Sequence, residues 1–123
     1  MNAELLERLA KCWPKDSVWS VATPVPGMLR FATESEPYTC WTVFHIDCEH
    51  EVQNASGCRI IEDEIIRQGY ILTPRSGADG HSYRAVPDKE DDRPGYMTGT
   101  LLPSRTEAVV NLAISLWSDI SEQ

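Results

Sequence analysis

The segment SVWSVATPVPGMLRFAT, residues 17–33, sets two short β-favouring runs on either side of Pro-Val-Pro-Gly. Pro26 and Gly27 suit the two central positions of a type II turn, the first needing φ near −60° and the second a positive φ. Strands joined by a turn this short must run antiparallel, because a parallel return needs a crossover of a dozen or more residues. The pattern recurs. A second turn, Glu-Ser-Glu-Pro, leads into YTCWTVFHID, the strongest strand signal in the chain, rich in Tyr, Thr, Trp, Val, Phe and Ile. Further on, YILTP and SYRAVP flank RSGADGH, whose glycines and Asp79 mark a loop between two more strands.

Three segments follow the helical period instead. Leu5, Leu6, Leu9, Cys12 and Trp13 form one stripe that Pro14 ends. After QNASG, CRIIEDEIIRQGY sets Cys58, Ile61 and Ile65 on one face, with Gly69 placed as a left-handed C-cap. In SRTEAVVNLAISLWSDI, Ser104 and Glu107 form the S-x-x-E capping box, and Val109, Leu112, Ala113, Leu116, Trp117 and Ile120 make an apolar face. The element order is α-β-β-β-α-β-β-α. The fold class is α+β: one domain over residues 1–123, a mostly antiparallel sheet with helices packed on it as an α/β sandwich.

A chain of 123 residues suits one domain, and its 41% apolar content can supply a core. Eleven basic against nineteen acidic residues leave a net charge of −8. That is poor footing for phosphate backbones, where Lys and Arg must displace condensed counterions, so direct nucleic-acid binding is not expected. No apolar run reaches the ~18 residues of a membrane span, and MNAELLERLAKCWPK lacks the basic and apolar regions of a secretory signal. A cytoplasmic protein without membrane association is expected, with Cys12, Cys40, Cys48 and Cys58 as free thiols.

Taken in order, RIIEDEIIRQGYILTPRSGADGHSYRAVPD and SRTEAVVNLAISLW give a helix, a strand, a glycine-rich turn, a strand and a serine-started helix of Ala, Ile and Leu. From about Ala55 to Ile120 the chain resembles the small phage-encoded "ABA sandwich" domain proteins, in which a sheet is held between helices. Tyr83 stands where that family usually has a tryptophan in its penultimate strand, and the first half, with CWTVFHIDCEH, has no counterpart in it. The resemblance implies a phage or prophage origin and an α/β sandwich. It implies no chemistry.

Chemistry-bearing residues gather in FHIDCEHEVQNASGC, residues 44–58. His45, Cys48, His50 and Cys58 are the candidate ligands of a metal site. Zinc requires them to converge, and on a strand side chains alternate faces, so His45 and His50 point apart while Cys48 falls in line with Phe44 and Ile46. Cys48 or Cys58 with His45, His50 or His81 has the composition of a thiol nucleophile pair. At the start of the second helix, Cys58 would have its thiol pKa lowered by the helix dipole. The acidic run DKEDD lacks the glycine and terminal bidentate Glu of a calcium loop, and reads as solvated. Phosphate-binding glycine loops, G-x-S-x-G elbows and H-E-x-x-H helices are absent from the sequence. Trp13 and Trp117 lie on helix stripes and are expected in the core, as are Trp19 and Trp41 on their strands, with an exposed interface anchor at one of these two as the alternative.

The reading that follows is a small acidic accessory protein, or inhibitor, that works by binding another protein and needs no cofactor. The candidate contact residues are Glu62, Asp63 and Glu64, placed on the exposed side of the second helix, with Asp88, Glu90, Asp91 and Asp92 in the acidic loop. The expected partner is a basic protein. The alternatives are a metal-binding or thiol-dependent enzyme using His45, Cys48, His50 and Cys58, and a structural homo-oligomer.

Overall fold

Proline excludes helical geometry from the residue before it. In the computed structural model helix α1 accordingly spans Ala3–Cys12, ahead of Pro14. The structure describes residues 3–23, 27–35, 38–45, 51–88, 94–98, 101–102 and 104–121, with the backbone alone for 3, 34–35, 38–45, 51–56 and 119–121. Among the described residues, three helices and two antiparallel sheets give the α+β class that the turn-joined strands indicated. The strands form two sheets rather than one, and the chain divides into two compact units, Met1–Gly57 and Cys58–Gln123.

In the first unit, strands β1 (Ser20–Ala22), β2 (Met28–Ser35) and β3 (Tyr38–His45) pair in sequence order. The register runs from Ser20 opposite Ala32 to Ala22 opposite Arg30, and from Met28 opposite His45 to Ser35 opposite Tyr38. Gly27 has φ 83°, the sign that the second central position of the expected turn demands; Pro26 lies outside the described residues. Leu29 and Phe31 alternate with exposed Arg30, so β2 buries one face. Helix α1 packs on β2 with Leu6, Leu9 and Trp13 buried at helical spacing. The Trp13 ring meets Phe31 edge-on, centroids 5.5 Å apart, and its indole N–H donates to the Trp19 carbonyl at 2.9 Å. That bond satisfies the one polar atom that burying the indole removes from water. Trp19 itself is half-buried, and the side chain of Trp41 lies outside the described set.

Helix α2 spans Glu51–Arg67, so it begins ahead of Cys58, where the sequence stripe started, and takes in QNASG. Asn, Ser and Gly weaken a helix by only up to ~1 kcal/mol each, a preference that tertiary context overrides. At the other end the expectation holds: Gly69, φ 91°, closes α2 as its N–H bonds the Ile66 carbonyl at 3.0 Å. In the second unit, β4 (Tyr70–Gly77) and β5 (Gly80–Pro87) pair through a two-residue turn at Ala78 and Asp79. The strands thus reach well into the run read as a loop. A third strand, β6 (Tyr96–Met97), pairs with Arg84 and Ala85. Two residues are too few for a period-two signal, which is why the sequence showed no strand there. His81 and Leu102 add a bridge, with reciprocal bonds of 2.8 and 2.9 Å. Gly80 permits that approach: its φ is 131°, and a Cβ there would lie 2.9 Å from the Leu102 carbonyl oxygen.

The backbone groups of Tyr83 are bonded on the β6 side, its carbonyl to Thr98 N–H at 2.9 Å and its N–H to Thr98 Oγ1 at 3.3 Å. Antiparallel pairs alternate between bonded and unbonded positions. Tyr83 opposite Pro74 is therefore an unbonded β4–β5 pair, and the nitrogen of Pro74 points outward from the edge strand β4. Proline costs the ladder nothing at this position.

Helix α3 (Arg105–Ser121) packs on β5 and β6. Val109, Leu112, Ala113, Leu116 and Trp117 are buried, as the sequence stripe required, and the side chain of Ile120 lies outside the described set. Ser104 caps the helix, its Oγ accepting from the Glu107 N–H at 3.1 Å. No helix among the described residues is long and apolar enough to cross a membrane. Urea denaturation of Leu116→Ala should show a loss of ~2–5 kcal/mol, the range for a fully buried leucine. Ser104→Ala should lose only ~1 kcal/mol. A neutral Leu116→Ala would contradict the packing of α3 described above.

Candidate functional site

On α2, Cys58 and Glu62 are four residues apart and share a face. Arg105 and Thr106 open α3, and Tyr83 lies mid-strand in β5. These five side chains converge. The Tyr83 hydroxyl donates to Glu62 Oε1 at 2.6 Å and accepts from Arg105 Nε, while Arg105 Nη2 reaches the same Glu62 oxygen at 2.8 Å. Cys58 Sγ lies 3.4 Å from Thr106 Oγ1. The Tyr83 ring is fully buried, and the guanidinium carbon stands 5.9 Å from its centroid.

The electrostatics oppose ionisation of both the Tyr83 phenol and the Cys58 thiol. Burial, reinforced by the hydrogen bond to Glu62, pushes the Tyr83 phenol well above its ordinary value, although the Arg105 bond pulls the other way. The bonds to Tyr83 and then Glu62 hold Arg105 firmly protonated. Cys58 lies inside α2, seven residues past its first residue, and not at the helix start, so the dipole has no terminal group to act through. Burial instead raises its thiol pKa above the ordinary 9.0, against a lowering by the Thr106 hydrogen bond. A thiol raised above 9.0 is a poor nucleophile near neutral pH. The arrangement holds three elements together and disfavours ionisation of both the phenol and the thiol.

The acidic trio on α2 separates. Asp63 is exposed, with a loose 4.0 Å ion pair to Arg59. Glu64 is buried, its side chain 3% exposed, and takes a 2.9 Å bond from Arg67 Nε. Glu62 is 17% exposed and occupied by Tyr83 and Arg105. The expectation that all three lie on the exposed side thus holds for Asp63 alone. The three acidic residues follow one another within a single turn of α2, and consecutive positions on a helix sit 100° apart, so they cannot share one face. Asp88 is exposed, and Glu90, Asp91 and Asp92 lie outside the described residues. So do Cys48 and His50, and His45 is described by its backbone alone. His81 shares a 2.8 Å hydrogen bond with Ser76 across the β4–β5 pair. Among the described residues no group of three His, Cys, Asp or Glu side chains could hold a metal ion. The roles of Tyr83 and Arg105 had no local signal, since Glu62 and Arg105 are separated by 43 positions.

No protein-family model, curated protein or solved structure matches the chain.

The raised phenol and thiol make stability depend on alkaline pH. Folded-state values above the unfolded ones give stability that is fully present below the ordinary values of 9.0 and 10.0 and is lost as pH rises past them. There the unfolded chain releases protons that the folded chain keeps, so the slope is negative, at most ~1.4 kcal/mol per pH unit for each group. Urea denaturation from pH 8 upward should therefore show the advantage of the native protein over Tyr83→Phe shrinking above about pH 10. An advantage independent of pH would show that the phenol is not held protonated by the fold.

Proposed function

We propose that the protein acts by binding another protein, as a small acidic accessory or inhibitory factor of the kind phages encode, and not as a catalyst. One observation carries this reading. Among the described residues of the second unit, the two carboxylates drawn inward are held by other side chains, Glu62 by Tyr83 and Arg105, Glu64 by Arg67. Groups so paired fix structure, while the excess of nineteen acidic over eleven basic residues is left to act at the surface. Asp63 and Asp88 are the described, exposed members of that surface, with Glu90, Asp91 and Asp92 following Asp88 in sequence. The complementary partner is basic. The phage origin in this proposal rests on the resemblance of residues 55–120 to ABA sandwich domains, which carries no mechanism.

Charge complementarity of this kind accelerates encounter more than it slows dissociation, and is screened over ~10 Å at 0.1 M salt. For a partner captured from a host lysate, association should slow as salt rises while dissociation changes less. Asp63→Asn combined with Asp88→Asn and the amides at 90, 91 and 92 should slow association without shifting thermal unfolding. Rates that ignore both salt and these substitutions would reduce the acidic surface to a solubility device.

A further inference from the structure

The β4–β5–β6 sheet has two unlike faces. Residues directly opposite in an antiparallel sheet share a face, and neighbours along a strand alternate. Tyr70, Tyr83, Ala85 and Tyr96 therefore lie on one face, where Tyr83 meets Glu62 of α2 and Arg105 of α3. Tyr70, Tyr83 and Ala85 are buried there. The pairs Ile71–Val86, Thr73–Arg84 and Arg84–Met97 place the other set together, with Arg75 next along β4. This second face is open. Ile71 is 50% and Met97 66% exposed, and Thr73, Arg75 and Arg84 are exposed as well.

Its chemistry is distinctive in a chain of net charge −8. Arg59, Arg67 and Arg105, the other described arginines of this unit, each have a carboxylate partner. Arg75 and Arg84 have no ion pair among the described residues, although Asp88 follows Val86 by two positions on the same side, at the far end of β5. Three apolar side chains, Ile71, Val86 and Met97, lie around two unpaired guanidiniums.

We propose that this open face docks an acidic amphipathic helix of a partner protein. A sheet face with exposed apolar residues is covered in folded proteins by a helix that buries its own apolar stripe, as α3 does on the opposite side. Carboxylates on such a helix meet Arg75 and Arg84 in charge-assisted bonds, while its apolar stripe lies on Ile71, Val86 and Met97. A second copy is disfavoured, because a two-fold interface through this face sets the guanidiniums against their own copies. A nucleic-acid strand is disfavoured too: the face has no aromatic platform among its described residues, and the whole chain repels a polyanion. The inference goes beyond the acidic-surface reading by adding a second surface of opposite sign, and either can fail without the other.

The probe is a fluorescein-labelled peptide with leucines at helical spacing and glutamates between them, titrated into the full-length chain. Anisotropy should saturate, and amide shifts in the isotope-labelled protein should centre on Ile71, Thr73, Arg84 and Met97. Arg75→Glu with Arg84→Glu, and separately Met97→Glu, should each weaken binding ~10-fold or more with thermal unfolding unchanged. Asp63→Asn, on α2, should leave this binding intact, which separates the test from that of the acidic surface. The proposal is overturned by absence of saturable binding, by shifts centred elsewhere, or by equal affinity for the peptide with lysines in place of glutamates. It is equally overturned by tighter binding of a single-stranded oligonucleotide at the same residues, or by a dimer of the chain that Met97→Glu dissolves.

Discussion

One phenolic oxygen joins the second unit. Tyr83 Oη stands between a carboxylate of α2 and a guanidinium of α3, and its ring is buried under both. A phenol cannot leave water cheaply unless its hydroxyl is bonded, so the burial of Tyr83 requires both neighbours to stand where they do. Glu62 and Arg105 in turn neutralise each other at its rim. The Arg105 side chain is more than half exposed, so solvent screens its ion pair and the direct hydrogen bonds matter more than the charge. Geometry, more than Coulomb energy, is what the triad contributes: it ties two helices to one strand.

Much of the fold was legible in the sequence because it rests on local rules. Pro14 and Gly69 closed helices by backbone sterics, Ser104 opened one by capping, and the alternation in β2 and the stripe in α3 matched buried residues. What the sequence could not show depends on non-local pairing. The start of α2 was hidden because Gln53–Gly57 prefers turns in isolation, and β6 because it borrows its conformation from β5. The division of six strands into two sheets follows from which edges meet, and no local pattern encodes that.

The candidate site was less legible, for the same physical reason. Glu62, Asp63 and Glu64 look alike in sequence, yet the structure buries one, triangulates another and exposes the third. Charge type told only that partners were needed. Whether the partner is water, an arginine three residues on, or one 43 residues away depends on the tertiary arrangement. Cys58 is a related case. Composition placed it among thiol chemistry, and its burial within a helix face made it a small core residue.

Pro74 has a consequence for how the molecule behaves in a crowd. Along the outer rim of β4, alternate residues aim their backbone groups away from β5, and a strand from a neighbouring molecule would extend the sheet by docking on that row. At Pro74 the row has a ring in place of a donor. Any incoming strand would lose a rung at mid-length and meet a methylene where its carbonyl should sit. The rim is thus defended by a missing hydrogen atom and not by charge, so a defence of this kind is indifferent to salt and pH. Threonine at that position would fit the pleat equally well and restore the row, turning a closed border into a template for fibrillar stacking.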